Sequence, residues 1–98
     1  MEVRGVDLVV SGHNHAYERF AQQDHTGRRS SSGIRSVIVG TGGAPLISFR
    51  GTVAPNSLVR DASHYGALRL ILRSDGWIQG FRTIDGASRD VVASECRP

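Results

Sequence analysis

The sequence predicts a small β-rich structure with few or no helices, and three observations carry that expectation. Its apolar residues fall in short runs bounded by Gly, Pro, Ser and Asp, the punctuation of strands and turns. Glycine is frequent, 12 in 98 residues, and a hydrophobic content of 39% is slightly low for a globular chain, which suits a loop-rich β structure better than a helical one. Near the C-terminus an Asp-Gly turn separates two apolar segments, a good hairpin signal. A chain of this size holds one small domain that buries only roughly 60–65% of its unfolded surface.

Taken in order, residues 6–10 (Val-Asp-Leu-Val-Val) are apolar on both faces apart from Asp7, the pattern of a strand in the middle of a layered structure. Gly12-His13-Asn14-His15 ends that strand, and residues 16–20 continue as a short extended segment with Tyr17 and Phe20 supplying bulk. Residues 22–33 are polar and form a surface loop. Residues 34–39 are the next strand. It runs into Gly40-Thr41-Gly42-Gly43-Ala44-Pro45, a tight turn suited to close backbone approach to a ligand or a neighbouring layer. That turn opens no helix and lacks the Lys-Ser/Thr of a P-loop.

Residues 46–65 read as one long irregular stretch, more typical of a loop lying over a larger body. Residues 66–73 and 77–83 form the hairpin around Ser74-Asp75-Gly76, with Gly76 available for a positive φ. Ile84-Asp85-Gly86 is a second turn, and residues 90–93 form a last edge strand. Four or five strands with no helix over their apolar faces look like part of something larger.

The formal charge of +3 comes from 12 Arg and no Lys against 9 acidic residues, a bias that matches GC-rich codon usage. The arginines are scattered from Arg4 to Arg97 with Arg28-Arg29 the only doublet, so the clustering a nucleic-acid interface needs is missing. No apolar run approaches a membrane span, and residues 1–4 lead into a strand without a signal-peptide core. The single cysteine, Cys96, has no intrachain disulfide partner.

The chemistry-bearing feature is the His13/His15 pair. Two imidazoles at i, i+2 in a loop can each reach a different ion of a paired metal site. Each ion wants about four to six ligands, so the remainder must come from elsewhere. Asn14 either contacts substrate or shapes the turn, and His64 is a candidate donor to a substrate phosphate. His25, in the polar loop, reads as a solvated surface histidine, while Tyr17, Glu18 and Arg19 read as residues that fix the loop by packing and ion pairing.

Residues 5–20, Gly-Val-Asp-Leu-Val-Val-Ser-Gly-His-Asn-His-Ala-Tyr-Glu-Arg-Phe, resemble the last metal-binding motif of the calcineurin-like metallophosphoesterases, in the form seen in purple-acid-phosphatase-like members. The resemblance continues through Gly33-Ile34, Val39 to Gly43, Arg60-Asp61-Ala62-Ser63, Tyr65-Gly66 and residues 68–81, and so covers nearly the whole chain. It implies the α+β class: a β-rich C-terminal part, residues 1–98, of a four-layer α/β/β/α sandwich that hydrolyses phosphate esters with a metal-activated water. By motif position, His13 resembles a ligand of the second metal and His15 a ligand of the first, with two divalent or mixed-valence ions such as Fe, Zn or Mn as cofactors. The family's other ligands lie in upstream Asp, Gly-Asp, Gly-Asn-His and His motifs that this chain lacks.

The expectation is therefore a phosphoesterase fragment, inactive alone, that works with a missing N-terminal segment or a separate chain, or self-associates through its exposed strand faces. Its partner is a phosphate-ester substrate; neither nucleic acid nor membrane is expected. Members of this type are often secreted, which fits a near-terminal cysteine. The alternative is a small β-rich binding or structural module with a vestigial histidine pair.

Overall fold

Seven short strands make up the regular structure of residues 6–49 and 51–96, the residues that the computed structural model describes. They are β1 (Leu8–Ser11), β2 (Tyr17–Phe20), β3 (Arg35–Val39), β4 (Ser57–Asp61), β5 (Gly66–Leu72), β6 (Gly76–Thr83) and β7 (Ser88–Glu95), with no helix among the described residues. Two sheets result, one in the order β1-β3-β2-β4 and one in the order β5-β6-β7. Only the β1–β3 pair is parallel.

The sheets meet through alternate residues of their central strands. In β3, Arg35 and Val37 are buried; in β6, Trp77, Gln79, Phe81 and Thr83 are buried, the period of two that puts one face inward. Tyr17 of β2 lies flat against Phe81 of β6, ring centroids 4.3 Å apart and planes 5° from parallel, and Val37 completes the buried centre. Leu8, Val39, Val59 and Leu68 pack around it. Thr41, just past β3, fastens the sheets at one corner: its hydroxyl donates to the Gly66 carbonyl at 2.8 Å, and the Gly66 amide donates to the Thr41 carbonyl at 3.1 Å.

A bulge in the second sheet supplies the other fastening. Gln79 pairs with Val92 and Phe81 with Arg89, so Gly80 alone stands opposite both Asp90 and Val91. Asp90 adopts φ +50°, a conformation that Asp tolerates better than most residues, and the bulge turns its carboxylate toward the first sheet. There it accepts from Tyr17 Oη at 2.6 Å and takes a two-pronged bond from Arg19, Nε at 2.8 Å and Nη2 at 3.0 Å. Burial alone would raise the Asp90 carboxyl, but the hydrogen bonds from Arg19 and Tyr17 outweigh it and hold the group below its ordinary value. The Tyr17 hydroxyl is pushed well above its ordinary value by burial and by the Asp90 carboxylate.

Four expectations from sequence need correction. The first strand is not buried between layers: the residues of β1 are half-buried or exposed, with Val10 47% exposed, and it lies at the edge of its sheet. The segment over residues 46–65 is not irregular throughout, because β4 forms within it on the free edge of β2. Gly76 has no positive φ; it opens β6, and a Cβ there would run into the Ser94 carbonyl of β7, so the glycine serves close strand approach. The last edge strand is also longer than residues 90–93, reaching from Ser88 to Glu95.

Candidate functional site

Strand direction brings the chemistry-bearing loops together. With β1 and β3 parallel, β2 antiparallel to β3 and β4 antiparallel to β2, the C-terminal ends of β1, β3 and β4 and the start of β2 lie at one end of the first sheet. Loops 12–16 and 62–65 and the start of the segment that follows β3 therefore emerge on the same side. His13, Asn14, His15 and His64 all belong to these loops.

The 12–16 loop is held by its backbone, while the side chains of His13 and Asn14 stay accessible. The Ala16 amide donates to the Asn14 carbonyl at 2.9 Å, the Gly40 amide to the Ala16 carbonyl at 3.1 Å and the Ile47 amide to the His15 carbonyl at 3.0 Å. His13 and Asn14 are exposed and His15 is half-buried. His13 sits at φ +79°, a left-handed conformation that costs a side-chain-bearing residue roughly 1–2 kcal/mol and that recurs at functional sites. His15 Nδ1 lies 3.0 Å from the Pro45 carbonyl oxygen. That oxygen only accepts, so Nδ1 carries the proton, and in the neutral imidazole the lone pair is then on Nε2. Metal-binding imidazoles are commonly oriented by such a bond.

Gly40 is indispensable to this arrangement. A Cβ on it would occupy the space of the Asn14 carbonyl oxygen. Gly40→Ala is expected to destabilise the fold by about 1–3 kcal/mol through overpacking against backbone and to shift the Asn14–His15 peptide. Thermal melts together with the imidazole resonances of His15 check both effects; an unchanged His15 spectrum would show that the loop does not depend on the close approach.

Beside His15 lies a groove of about 330 Å³ lined by Asn14, His15, Ala16, Glu18, Ile47, Ser48, Phe49, Thr52, Ala54 and Arg60. Glu18 and Arg60 face each other across the β2–β4 ladder, 3.8 Å apart. Glu18 is buried and accepts from Ser57 Oγ at 2.7 Å, while the Arg60 guanidinium lies 3.9 Å over the Phe49 ring. The groove thus has one cationic and one anionic wall next to an imidazole. His13 and His64 do not line it. His64 is oriented separately, Nδ1 2.8 Å from Asp61 Oδ2, with Asp61 Oδ1 accepting the Ser63 amide at 2.8 Å.

Phe49 carries no signal in the sequence, and Arg60 stands out there only within the 60–63 run of the family resemblance, because both fall in the 46–65 stretch that reads as irregular. The short Ser-Leu-Val-Arg-Asp run was the available signal for β4, and it was weak. His25 is exposed. Among the described residues no group of three or more His, Cys, Asp or Glu is placed to hold a metal ion. Comparison with protein-family descriptions, with curated proteins and with solved structures finds no match to this chain.

Proposed function

We propose that the chain contributes the histidine pair and the adjoining sheet end of a dinuclear-metal phosphoesterase. In this proposal it forms the C-terminal part of a four-layer α/β/β/α domain like that of the calcineurin-like, purple-acid-phosphatase-like enzymes. The single observation that carries it is His15, whose Nδ1 is 3.0 Å from the Pro45 carbonyl oxygen, which in the neutral imidazole leaves Nε2 as the nitrogen for a metal. Support comes also from the left-handed His13 beside it and from the parallel β1–β3 pair, an arrangement commonest in sheets covered by helices on both faces.

Bound Fe, Zn or Mn ions would polarise the ester and lower the pKa of a water. His15 would hold one ion through Nε2 and His13 the other. Asn14, exposed between them, donates its amide to a phosphate oxygen, and His64, steadied by Asp61, is a second donor from the same end of the sheet. The remaining ligands come from polypeptide outside these 98 residues.

The test is hydrolysis of a generic aryl phosphate with added Fe, Zn or Mn. It compares the 98-residue chain with a longer protein that includes the in-frame sequence encoded upstream of Met1. Turnover that chelation abolishes is expected from the longer protein, and none above buffer from the chain alone. Metal-dependent turnover by the chain alone would show that its site is complete. Its absence from both would favour a binding or structural module.

A further inference from the structure

The fold gathers arginines that are far apart in sequence. Arg19 of β2, Arg35 of β3 and Arg29 of the 22–33 loop line one open groove of about 380 Å³ together with Gln22, Ser30 and Ser31. Arg35 is only 9% exposed, and its buried Nε donates to nothing among the described residues. Burial first, and then the neighbouring Arg19, pushes its guanidinium below the ordinary value. Asp90, a carboxylate that acts on Arg35, has both its oxygens already bonded by Arg19. Arg29 gives its Nε to Asn56 Oδ1 at 3.2 Å, which leaves the outer end of its exposed guanidinium for the groove.

We propose that this groove is a binding site for a phosphate group, held by Arg35 and Arg29 and by the hydroxyls of Ser30 and Ser31. Planar guanidinium groups match the oxygens of a phosphate, and two hydroxyls add donors of adjustable direction. A dianion there offsets the positive charge of Arg29 and Arg35, beside an Arg19 already paired with Asp90. The site lies apart from the His13–His15 loop and shares no lining residue with the groove beside it. It stands whether or not that loop binds metal.

The experiment follows the arginine Nε–Hε resonances of the 98-residue chain during titration with inorganic phosphate. Chelator is present throughout, so that metal-held phosphate contributes nothing. Parallel titrations use O-phosphoserine, acetate, and sodium chloride at matched ionic strength. Saturable shifts of the groove arginines with the two phosphate probes are expected, unchanged in a His13→Ala/His15→Ala variant. The tighter of the two probes identifies free phosphate or a phosphorylated molecule as the source. Arg29→Gln, which leaves the packed interior alone, should weaken binding roughly tenfold, the worth of one hydrogen bond to a charged group. Arg35→Gln should abolish it. Equal shifts with chloride or acetate, or undiminished phosphate binding in Arg29→Gln, would overturn the assignment.

Discussion

Asp90→Ala is expected to destabilise the fold by about 3 kcal/mol or more, because removing one partner of a buried ion pair leaves the other charge uncompensated. The side chains of Arg19 and Asp90 are 12% and 11% exposed, so solvent screens the pair little. The Tyr17 hydroxyl loses its acceptor at the same time, and Arg35 loses the nearby negative charge that favours its ionised form. In a chain of this length the loss corresponds to a fall in melting temperature on the order of 15 °C. Asp90→Asn keeps a residue that accepts the left-handed conformation and retains an amide oxygen as acceptor, so it should cost less.

The same group sets a pH dependence. The folded carboxyl lies below its unfolded value of roughly 3.9, so its stabilisation is present above about pH 4 and is lost as pH falls through the folded value. Melts from pH 7 down to pH 3 should show the wild-type advantage over Asp90→Asn shrinking in that acid range. A constant difference across it would remove the carboxylate from the account of stability.

The second large effect concerns activity. In the metal-loaded enzyme proposed above, His13→Ala and His15→Ala should each lower phosphatase turnover by on the order of 10²–10³-fold, since losing one metal forfeits several kcal/mol of transition-state stabilisation. His25→Ala should change little, because that residue is exposed in the 22–33 loop. His13→Gly separates function from folding: it removes the ligand yet relieves the left-handed strain, so it should match His13→Ala in lost activity while melting no lower than wild type. Assays with metal analysis on these variants check the effect. Wild-type turnover at full metal loading in either alanine variant would end the ligand assignment.

What could be read from the sequence was local. The β5–β6 hairpin, the strand before the histidine loop and a close approach at Gly40 each leave a mark in adjacent residues and each is present, the approach being to the Asn14 backbone of the neighbouring loop and not to a ligand or another layer. What could not be read depends on pairing across the chain. β4 offers only Leu58 and Val59 as apolar residues; it is a strand because β2 has an open edge for it. Asp90 looks like the start of an edge strand until the bulge at Gly80 turns it toward Tyr17 and Arg19, 73 and 71 residues away. The arginines appear scattered along the sequence, yet Arg19, Arg29 and Arg35 line one groove because β2 and β3 are neighbours and the intervening loop folds back, Gln23 bridging to Arg29 and Ile34. His13 and His15 were legible as a pair. The Pro45 carbonyl that fixes the His15 tautomer was not, since it lies 30 residues further along.

The most direct measurement on the central claim is zinc titration of the 98-residue chain, followed through the imidazole nitrogen resonances of its four histidines. With only two ligands in place, binding should be weak and reversed by chelator. The expected result is that His13 and His15 respond first and together, that His15 binds through Nε2 with Nδ1 still protonated against Pro45, and that His25 and His64 respond only at higher metal. Zinc bound through Nδ1 of His15, or an equal response from all four histidines, would contradict the assignment of this loop as a metal-binding element.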